Sequence, residues 1–250
     1  MNRFISALVA ALSMGSVFAA PVSIRTAAQD NSANKYNLGN AAKPGICVEI
    51  IQAIEKQDPE IKFTGQDKPM PLARIESEIA EGLLDGFVGL VRSPERQAKY
   101  KFVEPAVFNV KHKVAVRTDD KIELKTLDDL KKAAGDGGVM TTQATAYVGF
   151  LEKAGIKVDA GTKNNSDIVK KLVGERGRFF YQVDVNLSEY IEKEKAQDKV
   201  RILPATFKEE GQYIVFSKLA PAATVAKVQA AVEKLEKSGE LKKIFAKYVK

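Results

Sequence analysis

The chain of 250 residues has one cysteine, Cys47, and one histidine, His112. A single thiol excludes an intrachain disulfide, so core packing must hold the fold whatever the redox compartment. Cys47 stands between Ile46 and Val48, where a helix begins, and reads as an inert, partly buried thiol; the one histidine is too far along the chain to serve as its base. His112 has no cysteine or acidic cluster beside it, which argues against a metal site, and its place in the strand pattern of 107–116 reads as solvent-facing. No paired-carboxylate spacing or nucleophile triad is recognisable, so no catalytic residue, metal or cofactor is expected. After the first 20 residues no hydrophobic run approaches the about 20 residues that a membrane-spanning helix needs.

What is present begins with those first residues. Arg3, a largely apolar stretch from Phe4 to Val17, and the small residues Ala19 and Ala20 read as a secretory signal peptide over residues 1–20. No cysteine follows the cut, which argues against a lipid anchor. The mature chain is expected to be a soluble, exported monomer of roughly 230 residues, enough for one large core or two small ones. The net charge is +7, and removal of Arg3 with the leader leaves +6. Its cations alternate with acids, as in Glu192-Lys193-Glu194-Lys195, and no zinc spacing or base-stacking motif accompanies them. Nucleic acid is therefore not an expected partner, whereas a mild positive bias suits a small anion.

Strand and helix patterns alternate along the mature chain. Residues 22–26 suit a strand, and a polar stretch containing Tyr36 precedes a helix face at Ile46, Ile50, Ile51 and Ile54. A strand at 61–64 and a helix through Leu72, Ile75, Ile79 and Leu83 lead to Gly86-Phe87-Val88-Gly89-Leu90-Val91, apolar on both faces as in a helix-covered parallel sheet. That strand changes abruptly to Arg92-Ser93-Pro94-Glu95-Arg96, where proline suits a first helical turn. An arginine fork beside a helix start is suited to a carboxylate. Thr126 and Asp129 have the spacing of a reciprocal helix cap. Val139-Met140, then Thr141-Thr142-Gln143-Ala144 and a helix, repeat the strand-turn-helix arrangement. Further strands are expected at 156–158, 179–183 and 200–203, with Asn165-Ser166 capping a helix between the first two and Asp184 near the end of the second. A return strand at 211–216 precedes a final helical region broken at Ser238-Gly239.

With these parts in place the mature chain resembles the periplasmic solute-binding proteins of family 3, which include polar amino-acid receptors of ABC importers. Three stretches carry the resemblance: Ile79-Ala80-Glu81-Gly82-Leu83-Leu84-Asp85-Gly86; Ser93-Pro94-Glu95-Arg96 with Phe102-Val103-Glu104-Pro105 after it; and the ending from Val232 to Ile244. The resemblance implies an α/β, two-lobed, type II-like periplasmic binding protein with two hinge crossings. Residues 21–116 and 213–250 would form one lobe and 117–212 the other.

In this family the position of Arg96 holds a ligand carboxylate and that of Ser93 shapes the turn. Arg96 pairing with Glu95 or Glu104 is the structural alternative. Thr141, Thr142 and Gln143 fall where the second lobe supplies a Gly-Thr or Gly-Ser turn, here without its glycine. The hydroxyl position associated with an α-amino group corresponds to Val91, with Gly89 nearby in the strand, and Asp184 is the one acid near the other amino-site position. Tyr36 corresponds to a lip aromatic that either stacks on ligand or supports the fold, and Arg92, ahead of Arg74, is placed to bind a second acidic group. The implied function is a non-enzymatic receptor for a small carboxylate-bearing solute, an amino acid included, serving an ABC permease. Alternatives on the same scaffold are an exported dehydratase-like enzyme using Glu104, Asp184 or Glu189, and a module that delivers its ligand to a sensory receptor.

Overall fold

A computed structural model describes residues 21–249 except positions 31 and 144; the expected leader, residues 1–20, and Ala144 of the polar turn lie outside the described residues. The chain opens with β1 (Val22–Arg25) and β2 (Ala28–Gln29), crosses a turn-rich segment, and enters α1 (Ile46–Gln57). The isoleucines 46, 50, 51 and 54 recur at helical spacing and all lie buried on one face of α1. There follow β3 (Ile61–Thr64), β4 (Pro69–Met70), α2 (Leu72–Ala80), β5 (Gly86–Val91), α3 (Pro94–Lys99), β6 (Tyr100–Phe102) and β7 (Phe108–Arg117). α2 stops before Leu83, which is exposed rather than continuing the apolar face.

Beyond β7 come α4 (Leu127–Ala134), β8 (Val139–Thr142), α5 (Ala146–Lys153), β9 (Val158–Thr162), α6 (Asn165–Val173), β10 (Phe180–Val183) and α7 (Asp184–Lys193). The expected cap of α4 is present, since Thr126 accepts from Asp129 N while the Asp129 carboxylate accepts from Thr126 N. The cap of α6 is Asn164, one residue before the expected pair; its side chain accepts from Asp167 N, leaving Asn165 free to turn elsewhere. The chain closes with β11 (Val200–Ile202), β12 (Lys208–Ser217), α8 (Ala222–Lys237) and α9 (Glu240–Ala246), the last two parted at Gly239.

Strands β1 and β3 pair in parallel, and β2 pairs with β4. An eight-stranded sheet has the order β5-β12-β7-β10-β8-β9, with β11 added to β7 and β6 to β12. The parallel setting expected for β5 is corrected here: its ladder partner is β12, running antiparallel. β5 is still apolar on both faces because α1 and α2 pack against it.

Two ten-residue strands, β7 and β12, connect the halves of the molecule. They pair with each other only from Phe108 opposite Gln212 to His112 opposite Lys208. Past that ladder, β7 pairs with β10 and β11, whereas β12 pairs with β5 and β6. The apolar packing divides in the same place. One cluster gathers β1, β3, β5, α1 and α8 and extends along β7 to Val110; residues 114–116 belong to two others. Period-two alternation explains that pair: Val114 and Val116 face Leu130 and Leu151, while Ala115 faces Ile168, Leu172 and Leu187 on the opposite side. Among the described residues no helix is long and apolar enough to cross a membrane.

Candidate functional site: the cleft between β5, β7, β12 and α7

A cavity of about 250 Å³ opens where β5, β7, β10 and β12 meet the start of α7 and the turn before α1. Val91, Val110, Val183 and Val185 supply its apolar walls; Gln29, Ser32, Asn34, Lys35, Asn165, Asn186, Glu189, Glu210 and Gln212 supply its polar groups, with Tyr147 and Tyr190 beside them. A smaller cavity of about 110 Å³ lies behind the same turn, between Lys43, Tyr248 and α7.

The turn carrying Lys35 is fixed by the end of α1. A helix start leaves backbone N–H groups without partners inside the helix. Here Ile46 N donates to Asn34 O at 2.9 Å and Cys47 N to Lys35 O at 3.1 Å. So close an approach requires glycine at position 45, where a Cβ would lie 2.3 Å from Lys35 O and φ is +107°. Lys35 is thereby aimed across β5. Its Nζ donates to Gly89 O at 2.8 Å and to Gln212 Oε1 at 3.0 Å. Gly89 sits at a bulge where the β5 register against β12 shifts, and its φ of +93° turns its carbonyl out of the regular ladder. Burial draws the Lys35 pKa below the ordinary lysine value, opposed by Cys47 and reinforced by the nearby Arg96 charge.

Contacts cross the mouth of the cavity. Asn34 Nδ2 donates to Asn186 Oδ1, and the Glu189 carboxylate accepts from Asn34 N, tying the first turn of the chain to α7. Burial raises the Glu189 pKa. On the floor, His112 joins Tyr181 Oη at 2.9 Å and Glu210 Oε2 at 3.0 Å. The Glu210 carboxyl is held down at about 2, chiefly by its hydrogen bond with His112 and further by Lys208. The solvent-facing place expected for His112 is therefore corrected: it is 2 % exposed, on a strand with neighbours on both sides and with the Tyr147 and Phe150 rings packed against it.

None of the nine residues expected to touch ligand is among the cavity-lining residues. Arg96 meets Glu76 fork to fork, with Nη2 to Oε1 at 2.6 Å and Nε to Oε2 at 3.2 Å, while Nη1 donates to Val91 O at 3.1 Å. The internal acid is Glu76, neither of the two weighed from sequence. Ser93 caps α3 by accepting from Arg96 N. Arg92 pairs with Glu104, its guanidinium carbon lying 4.1 Å from the centre of the Tyr213 ring and 4.9 Å from that of Phe102.

Thr141 is fully buried. Thr142 donates to Asn165 Oδ1 at 2.5 Å, and Gln143 is exposed with its N–H given to Thr162 O. Asp184 is 3 % exposed, and its carboxylate accepts from Lys111 N and Val185 N, turned toward β7. Burial raises its pKa. Tyr36 belongs to the core, since its ring stacks on Phe87 and its hydroxyl donates to Val88 O at 2.7 Å. Gly89 reaches the cavity only through the bond from Lys35 to its carbonyl.

Sequence reasoning missed Lys35, Gln212, Asn165 and Asn186 as lining groups. Two glycine-dependent close approaches aim Lys35, and the capping shift to Asn164 frees Asn165, whose side-chain carbonyl accepts from Gln182 Nε2 at 3.1 Å as well as from Thr142. Among the described residues no group of three or more histidine, cysteine or acidic side chains is gathered to hold a metal ion.

This architecture is that of a two-lobed α/β binding protein. The chain belongs to the bacterial extracellular solute-binding proteins, family 3, whose family model matches residues 26–250. Its fold is similar to that of the probable amino-acid ABC transporter extracellular-binding protein YtmK of Bacillus subtilis, at 17% identity and a TM-score of 0.76, covering 91% of this chain and 97% of that one. The unliganded, open L-cystine solute receptor of Neisseria gonorrhoeae matches at 18% identity and a TM-score of 0.68, covering 91% and 92%. An ancestral arginine-binding protein bound to glutamine matches at 22% identity and a TM-score of 0.64, covering 90% and 97%. No curated protein sequence matches significantly.

Proposed function

We propose that this chain is a non-enzymatic receptor that takes a small carboxylate-bearing solute, amino acids among the candidates, into the cleft and delivers it in the periplasm to an ABC importer. The cavity carries this reading. Its volume of about 250 Å³ suits a small molecule, and it combines short polar side chains with a lysine that has no acid partner among the described residues. Solved structures of the same fold include an L-cystine receptor and arginine-binding proteins, so zwitterions belong in the test set.

Residues 21–116 with 213–250 would form one lobe and 117–212 the other, bending at the short ladder Phe108–His112 against Lys208–Gln212. The bonds from Asn34 to Asn186 and Glu189 are the kind of contact that closure around a solute would favour. An enzymatic reading finds little support. Glu104 is held by Arg92 and Asp184 by two backbone N–H groups, leaving Glu189 as the one of its three candidate acids that lines the cavity.

Isothermal titration of protein purified without refolding, together with native mass spectrometry for retained solute, tests the assignment. One carboxylate-bearing solute is expected to bind one-to-one and to leave unchanged after release. Turnover of the solute, or specific binding confined to molecules with no carboxylate, overturns it.

A further inference from the structure

We propose that Lys35, and not Arg96, is the cation that holds the solute's carboxylate, so that the cleft selects an organic acid with no ammonium on the carbon next to that carboxylate. The inference rests on the receptor reading above and narrows its ligand. It starts from charge pairing. Arg96 spends both prongs of its fork on Glu76 and a further donor on Val91 O, and Arg92 is clamped by Glu104 between two rings. Lys35 lines the cavity and makes no ion pair among the described residues. An ammonium has three donors, and the two protein acceptors it meets, Gly89 O and Gln212 Oε1, leave one for a ligand.

A cation surrounded by protein without a counter-ion is costly to keep charged, and an entering carboxylate removes that cost. The lysine is also pre-aimed. Its backbone is held by the first N–H groups of α1 and its tip by the β5 bulge, so little side-chain freedom remains to be lost on binding.

The same contacts argue against an α-ammonium. The carbonyl and amide oxygens at this end of the cavity already accept from Lys35, and Val91 and Val110 supply apolar wall. Asp184 is turned onto Lys111 N and Val185 N. The two acids that do line the cavity are engaged, Glu189 with Asn34 N and Glu210 with His112 and Lys208. An ammonium beside the bound carboxylate would be desolvated with no unengaged acid to meet it; Gln29 Oε1, a neutral amide oxygen, is the one buried side-chain acceptor lining the cavity without a partner among the described residues.

Isothermal titration with matched pairs tests both parts: lactate against alanine, malate against aspartate, 2-hydroxyglutarate against glutamate, and phenyllactate against phenylalanine. The hydroxy acid of at least one pair is expected to bind about tenfold or more tightly than its amino partner, as expected when a polar group is left unpaired. Lys35→Met should weaken that binding about 10- to 100-fold, the value of a charge-assisted bond. Lys35→Arg should restore part of it, and the double variant Glu76→Gln/Arg96→Gln should stay within about threefold of the unaltered protein. Thermal melts of each variant separate lost binding from lost folding, and a Lys35→Met protein that does not fold leaves Lys35→Arg and the double variant to decide.

Tighter binding of the amino acid in every pair overturns the proposal. So does binding that survives in Lys35→Met but fails in the folded Glu76→Gln/Arg96→Gln protein. If none of the eight acids binds the unaltered protein, this proposal falls, while the carboxylate-receptor reading is decided separately by the solute retained in native mass spectrometry. Loss confined to Lys35→Met leaves the reading and the proposal standing together.

Discussion

Arg96 and Glu76 bind each other fork to fork, one bond of 2.6 Å and one of 3.2 Å joining the start of α3 to α2. Each side chain is about a quarter exposed, at 25% and 24%, so the pair is neither a loose surface bridge nor a fully desolvated one. Glu76→Gln alone is expected to cost about 1–2 kcal/mol, because it leaves a partly buried guanidinium without its counter-charge. Glu76→Gln/Arg96→Gln should cost less than the sum of the single variants. Urea unfolding of the four proteins checks this, and additive losses would mean the fork contributes no coupling.

Gly89 is confined from two directions. Its φ is +93°, and a Cβ there would lie 2.6 Å from Cys47 Sγ. Gly89→Ala is expected to destabilise by about 2–4 kcal/mol through backbone strain and overpacking together. Adding Cys47→Ala should recover the steric part and leave the strain, which chemical denaturation of the single and double variants will resolve.

Cys47 itself is fully buried, and burial pushes its thiol up to about 12. Thiolate is the reactive form. At pH 8 the native protein should therefore resist a thiol reagent such as DTNB over a time in which protein in concentrated urea releases one equivalent per chain. Rapid labelling of the native protein would show that the thiol is more accessible than its packing implies.

Glu210 makes stability depend on acid. Its carboxyl lies at about 2 in the folded protein against an ordinary 4.5, with His112 the main cause. A depressed carboxyl stabilises the fold fully above its unfolded pKa and loses that contribution as pH falls from about 4.5 toward 2. Glu210→Gln should be less stable than the unaltered protein by about 2 kcal/mol at pH 7, and the difference should shrink across that acid range. Unfolding free energies measured at several pH values check the sign. A gap that is constant with pH would remove His112 and Lys208 as its source.

Much of the fold was legible because local chemistry and tertiary packing agree. The buried isoleucine face of α1, the Thr126–Asp129 cap and the break at Gly239 each depend on near neighbours. His112 was not legible, because polarity within an alternating strand gives its face but not whether another element covers it. Here Tyr147 and Phe150 of α5 do so. The candidate site was legible only as a region. Resemblance led to the end of β5 and the start of α7, but the atoms facing inward are Val91, Val183, Val185 and Asn186 rather than Arg96 and Asp184.

The amino-acid order alone determined the alternating elements and the family, since periodicity, caps and the run from Ser93 through Pro105 are properties of neighbouring residues. Tertiary structure decided which of the described cations near the cleft has an acid partner and which does not. Glu76 is twenty positions from Arg96, and Gln212 is far from Lys35, so only folding could give the arginine its internal partner and turn the lysine into the cleft. Pairing between charges is settled by distances across the fold, which the spacing of residues along a chain does not contain.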